Sequence, residues 1–320
     1  MIATFSGSRG EPIDPPPREQ PNGPKSERRV SAVAEHLTPH FEEVQAHYDL
    51  SDDFFRLFLD PTMTYSCAYW DRNRDISLEE AQLRKMDLSL GKLGLRPGMT
   101  LLDIGCGWGG TMCRALENYD VNVVGLTLSE HQAAHVQRLF DAMDTQRSRR
   151  VLLHGWEEFD EQADRIVSIG AFEHFGYDRY DDFFAMAYRT LPEDGVMLLH
   201  TITMLTPQQI VERELPMTEE QTSFNEFIAT EIFPGGQLPA IEIVEFHASK
   251  MGFNLKRRQS LQLHYARTLD HWAEALQARH SEAVEIQSEE VYQRYMRYLT
   301  GCANAFRVGY IDVNQFTLAK

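Results

Sequence analysis

The sequence predicts an α/β fold built on a doubly wound, mostly parallel sheet, and three observations predict it. Apolar β-type runs alternate with stretches at helical spacing from residue 99 onward. The first run, Met99-Thr100-Leu101-Leu102, leads into Asp103 and a glycine-rich turn that opens a helix. The chain has 320 residues, 42% of them hydrophobic, enough to bury one large core.

The elements follow in order. Residues 1–36 are rich in Pro, Gly and charge and lack periodic apolar positions, so they are expected to form a disordered tail. The domain is expected over 37–320, opening with a helical segment, 37–97. Within it, apolar residues between 41 and 59 recur at helical spacing. A further helix is expected over 77–93, where Ser77-Leu78-Glu79-Glu80 reads as a capping box. Strands are expected at 100–104, 122–127, 150–154, 164–169 and 196–203, with helices at 110–118, 129–142 and 180–191 between them. Residues 204–236 read as a helical insertion that could roof a site. The chain is expected to close with a helix (241–250), a strand (253–263), two helices (269–278 and 289–306) and a final strand (314–318).

The formal charge of −17 argues against nucleic acid and against attraction to an anionic membrane surface. Cys67, Cys106, Cys113 and Cys302 show no metal or disulfide spacing. No apolar run approaches the roughly twenty residues that span a bilayer, so no stable membrane insertion is expected. Without a secretory signal pattern the expected location is the cytoplasm.

The glycine turn offers bare backbone and the free N–H groups of a helix start to a ligand. Gly105, Gly107 and Gly110 satisfy the dinucleotide spacing G-x-G-x-x-G, which expects an acid about twenty residues on to hold a ribose. The next strand ends in Leu126-Thr127 without one. Asp103 followed by Gly105, Gly107 and Gly109 fits the turn of S-adenosylmethionine (SAM) enzymes better, and both nucleotides stay open on this segment.

Other residues stand where chemistry is expected. Glu173 follows the fourth strand, at the carboxyl end where such sheets bind ligands. His200 lies inside the apolar run of the fifth strand, where a core histidine is the plainer reading, and Cys67 reads alone as a small hydrophobe. Trp156-Glu157 follows the third strand and could flank an adenine. His131 and His135, four apart on a helix, lack the carboxylate that a metal site would add, so no metal is expected.

Together these stretches resemble the cyclopropane-fatty-acid synthase family, in particular its mycolic acid cyclopropane synthases. The resemblance runs from about residue 37 to 320. It is carried by His47-Tyr48-Asp49, Thr64-Tyr65-Ser66-Cys67-Ala68-Tyr69 and Leu102-Asp103-Ile104-Gly105-Cys106-Gly107-Trp108-Gly109. Ala171-Phe172-Glu173-His174-Phe175, Glu231-Ile232-Phe233-Pro234-Gly235-Gly236 and Tyr298-Leu299-Thr300-Gly301-Cys302 extend it. It implies a class I SAM-dependent methyltransferase fold. It further implies a SAM site of Tyr65, Ser66, Asp103, Gly105, Gly107, Gly109, Thr127, Gln132, Trp156 and Glu157. A bicarbonate ion held by Cys67, Glu173, His200 and Tyr265 is implied as well.

The implied reaction is methyl transfer to a cis double bond of a long, meromycolate-type acyl chain, presented on an acyl-carrier protein or, as the alternative, in a membrane phospholipid. Loss of a proton from the added methyl, assisted by bicarbonate, then closes a cyclopropane ring. Tyr48, Phe175 and Tyr265 are candidates to face the intermediate cation, with Phe172 and Tyr310 behind them. Relatives that capture water instead, giving a hydroxylated, methyl-branched chain, tend to carry an acid where this chain has Gly170. A non-catalytic module binding SAM or lipid is the alternative from another class.

Overall fold

The computed structural model describes residues 37–38, 51–71 and 75–320. The expected tail, and Tyr48 with it, lie outside the described residues. From Ser51 on, the described residues belong to one compact unit.

Seven strands form one sheet: β1 (Thr100–Ile104), β2 (Asn122–Leu126), β3 (Arg149–Leu152), β4 (Arg165–Ile169), β5 (Val196–Met204), β6 (Asn254–Ser260) and β7 (Ile311–Ala319). Their spatial order is β3-β2-β1-β4-β5-β7-β6. The first five run parallel, and β7 inserts antiparallel between β5 and β6. The order reverses at β1 and β4, so the crevice beyond their carboxyl ends is the place for a ligand. β1 carries Leu101, Leu102 and Ile104 fully buried, as a strand covered on both faces requires.

The helices are α1 (Asp52–Phe55), α2 (Leu78–Gly91), α3 (Gly110–Tyr119), α4 (Glu130–Ala142) and α5 (Tyr180–Thr190). Between β5 and β6 come α6 (Pro207–Glu212), α7 (Glu219–Phe227) continued by a π turn (Ile228–Ile232), and α8 (Ile241–Lys250). α9 (Gln262–Ala278), α10 (His280–Ile286) and α11 (Glu289–Val308) precede the last strand. Side-chain caps set several starts: Ser129 accepts from the Gln132 N–H, Thr206 from Gln209 and Ser288 from Val291. Gly309, with φ of 94°, ends α11 in the left-handed conformation.

Three expectations need correction. Ser77 does cap α2 by accepting from the Glu80 N–H, but the Glu80 carboxylate turns to Arg84 at 2.8 Å instead of closing the box. The strand expected to run to 263 stops at Ser260, and α9 starts at Gln262, so Tyr265 stands on a helix. α10 was not expected at all: Ala283 is its buried residue, and exposed polar side chains around it blur any apolar period.

The turn after β1 fixes how closely the β1 and β4 ends approach. Gly105 has φ of +76°, and a Cβ there would lie 2.4 Å from the Ala171 Cβ. Gly105→Ala therefore combines a steric clash with left-handed strain of roughly 1–3 kcal/mol. A lowered midpoint in urea unfolding and loss of nucleotide binding are the expected results, checked by denaturation and by titration calorimetry.

Candidate active site

The carboxyl ends of β1, β2 and β4 open into a cavity of about 1050 Å³, its open mouth included. Tyr65, Ser66, Asp103, Gly105, Gly107, Thr127, Gln132, Trp156 and Glu157 all line it. Gly109 does not: it caps α3, and a Cβ there would press against Val136 of α4 at 2.9 Å, so its glycine serves helix packing. Gly170, His174 and Phe175 complete the wall below β4.

Each lining side chain is held from behind. Thr127 and Gln132 share a 2.7 Å hydrogen bond at the end of β2. Glu157 pairs with Arg179 at 2.6 Å, with both side chains nearly inaccessible to water, and the Arg179 guanidinium lies 5.4 Å from the Trp156 ring centre. The Tyr65–Ser66 loop is shaped by Asp60, which accepts from the backbone N–H groups of Thr62 and Thr64. From the other side, Gln82 of α2 donates to the Ser66 carbonyl at 2.8 Å and the Lys85 ammonium to the Ser66 hydroxyl at 2.9 Å.

Asp103 is buried, and its Oδ2 finds no partner among the described residues. Burial pushes its carboxyl up to about 7, opposed by the Lys85 charge, while burial lowers Lys85 to about 8. A buried acid with an open oxygen, a buried ammonium and a glycine cradle suit SAM, whose amino-acid end carries both an ammonium and a carboxylate. The residues present fit the group.

Cys67, Glu173, His200 and Tyr265 are all buried and lie just behind the cavity wall. Cys67 follows the lining Ser66, Glu173 stands beside the lining His174, and His200 pairs in register with the lining Ile169. The Cys67 thiol lies 3.8 Å from the Leu261 carbonyl, which also receives the Tyr265 N–H at 3.1 Å. The Tyr265 hydroxyl is raised mainly by burial, with smaller contributions from the neighbouring Tyr298, Cys67 and Glu173. The Ile202 N–H donates to Glu173 Oε1 at 2.7 Å, while Oε2 is buried without a partner among the described residues. Burial raises the Glu173 carboxyl and lowers the His200 imidazole well below its ordinary value.

Two of the aromatic candidates for facing a cation lie elsewhere. Phe172 is stacked on Tyr180 at 4.1 Å in the core, and the Tyr310 hydroxyl is spent on the Pro216 carbonyl. Phe175 lines the cavity, and Tyr265 packs on Phe306 at 4.8 Å and Trp272 at 6.1 Å.

Sequence reasoning missed the buried face of α2. Gln82, Lys85 and Ser89 are inaccessible and Lys92 follows at the C-cap, a polar stripe at spacings of three, four and three. That spacing was visible, but a polar helix stripe is ordinarily the solvent face.

A sheet of this order, with an acid and glycine turn at the switch point, defines a class I SAM-dependent methyltransferase. Solved structures with under a fifth of residues identical share the fold, among them coclaurine N-methyltransferase (TM-score 0.70, 19% identity, covering 87% of this chain and 82% of that one). The family profile of mycolic acid cyclopropane synthetase matches residues 35–316, and the chain belongs to that family. Cyclopropane mycolic acid synthase MmaA2 of Mycobacterium tuberculosis is 74% identical over 284 residues, 89% of this chain and 99% of that protein. Its structure superposes with a TM-score of 0.88 over 89% of this chain and all of that one. Cyclopropane synthase CmaA1, solved in complex with SAH and CTAB, is 68% identical with a TM-score of 0.86, covering 89% and 99% of the two chains.

The elevated Asp103 carboxyl has a consequence for stability. The folded protein holds this proton up to about pH 7, whereas an unfolded Asp releases it near 3.8, so unliganded stability falls as pH rises between those values. Asp103→Asn removes this contribution. Its melting temperature relative to wild type should climb steadily from about pH 4 to about pH 7, and parallel curves would contradict the assignment.

Proposed function

We propose that this enzyme transfers a methyl group from SAM to a cis double bond of a long, meromycolate-type acyl chain and closes a cyclopropane ring. The observation that carries the reading is Glu173: a buried carboxylate with one oxygen tied to Ile202 and the other without a partner among the described residues, near enough to Tyr265 to raise its hydroxyl. The relatives' names, cyclopropane mycolic acid synthases, support the substrate class.

SAM, when bound, supplies an electrophilic methyl group. The glycine turn, Thr127, Gln132 and Glu157 hold and orient it, and orientation is what a weak alkene nucleophile needs. Phe175 in the cavity wall and Tyr265 behind it are the aromatic rings available to stabilise the cation left on the acyl chain, each worth up to about 2 kcal/mol when water is absent. α6, α7 and the π turn, residues 204–236, serve as the roof that excludes water, with the Gln237 N–H tying their end to the Glu173 carbonyl at 2.8 Å.

Bicarbonate is the ion that the buried Cys67, Glu173, His200 and Tyr265 would hold. The Cys67 thiol, kept protonated by burial, and the Tyr265 hydroxyl are donors for its oxygens. The open Glu173 oxygen accepts its O–H, which avoids setting two bare anions side by side. Gly170, with φ of +70°, brings no side chain that could hold a water against the cation, which favours ring closure over hydration.

The net charge of −17 gives an anionic lipid surface little hold, which supports presentation of the acyl chain on an acyl-carrier protein over a membrane phospholipid. Among the described residues no helix is long and apolar enough to cross a membrane.

Mass spectrometry of the product from SAM and a cis-unsaturated acyl substrate tests this reading. Gain of one methylene unit is expected; gain of a methylene plus water identifies the hydroxylated outcome, and no gain a binding module. Glu173→Gln should keep S-adenosylhomocysteine affinity within a factor of about two while turnover falls roughly a hundredfold or more. Near-normal turnover would remove Glu173 from the chemistry.

A further inference from the structure

The position of the proton on His200 can be read from a chain of hydrogen bonds that begins outside the site. His200 of β5, Gln315 of β7 and Gln259 of β6 stand directly opposite one another across three antiparallel strands, so their side chains form one row on one face of the sheet. Ser89 and Lys92 of α2 pack onto that row. The Lys92 ammonium donates to Gln259 Oε1 at 2.7 Å and to Gln315 Oε1. The Gln315 amide nitrogen lies 3.0 Å from the Ser89 hydroxyl and 3.2 Å from His200 Nδ1. Ser89, Gln315 and His200 are buried.

The polarity of this chain is fixed at both ends. An ammonium has only hydrogens to give, so the oxygen of the Gln315 amide must face Lys92 and its NH₂ must face inward. The Ser89 hydroxyl hydrogen is already given to the Lys85 carbonyl at 2.8 Å, so Ser89 can only accept, which again demands the NH₂. A reversed amide would oppose donor to donor at Lys92 and acceptor to acceptor at Ser89. The inward NH₂ therefore donates to Nδ1. The charged side chains that act on the ring are Lys85 and Lys92, both of α2, and with burial they keep the imidazole neutral.

The geometry points to Gln315, oriented by Lys92 and Ser89, as the positioning residue that holds His200 as the Nε2–H tautomer. A neutral ring with Nδ1 engaged as acceptor carries its hydrogen on Nε2. Taken with the reading above, on which this consequence rests, His200 offers the bicarbonate a donor and cannot take a proton through Nε2. The proton released on ring closure must then go to a group other than His200 Nε2.

The tautomer can be measured without substrate. In the full-length protein labelled with ¹⁵N-histidine, the His200 signals are identified by their loss in His200→Asn. Nδ1 of the wild type is expected at the unprotonated, pyridine-like shift and Nε2 at the protonated, pyrrole-like shift. In Gln315→Glu the carboxylate that replaces the amide can only accept, so Nδ1 should gain the proton. Lys92→Met leaves Ser89 to orient the amide alone and should keep the wild-type tautomer, whereas Lys92→Met combined with Ser89→Ala frees the amide to turn, and a mixture of both tautomers is expected. A protonated Nδ1 in the wild type overturns the assignment outright, whether or not the variants fold. An unprotonated Nδ1 in folded Gln315→Glu also overturns it, and a single unchanged tautomer in the folded Lys92→Met, Ser89→Ala double variant overturns the orienting role of that pair. A failure of cyclopropanation with the wild-type tautomer as expected would instead sink the function and leave the clamp standing.

Discussion

Burial of ionisable groups with fewer partners than they can use is the constraint on which this site depends. Asp103 and Glu173 each keep one oxygen that nothing among the described residues satisfies, and Lys85 and His200 are buried beside them. Such groups cost stability in proportion to how completely water is excluded, and packing elsewhere must offset them. They persist because a ligand can complete them: a site whose dipoles and charges are already in place needs little reorganisation when charge moves. The sheet supplies rigidity at β1, β4 and β5, and α2 supplies the polar groups that keep the buried charges aimed.

α2 does work that helices seldom do. Its inner face carries a polar row beside the apolar Ala81, Met86 and Leu90, from Gln82 and Lys85 against the Ser66 loop to Ser89 and the C-cap Lys92 against β7. One rigid element thus ties the wall of the nucleotide cavity to the strand row behind it. The Ser66 loop and His200 cannot shift independently without breaking hydrogen bonds in dry surroundings, where an unmade bond costs most. This coupling is the structural link between holding the methyl donor and holding the groups that handle the proton.

The sheet was largely legible in the sequence because each inner strand is a short apolar run closed by a turn signal, as at Leu101–Ile104 before Gly105. The SAM cavity was legible for a similar reason, since Asp103 and the glycines that follow are local in sequence. The buried cluster was not. Cys67, Glu173, His200 and Tyr265 come from distant elements, and residue by residue each has a plainer reading; only the family resemblance grouped them. Tyr265 was left just beyond an expected strand because Leu261 and Leu263 alternate with polar neighbours as a strand would, although the chain turns into α9 there. Gln315 gave no signal at all, because a glutamine inside a strand reads as an ordinary polar position until its cross-strand neighbour is known.

The central claim is that a methyl carbon enters the acyl chain and then loses one hydrogen to close a ring. Reaction with SAM carrying a trideuterated methyl group reads this directly by mass spectrometry and NMR of the product. The account predicts a ring methylene that retains two of the three deuterium atoms, formed with no oxygen gained. A product that keeps all three on an intact methyl group would contradict it.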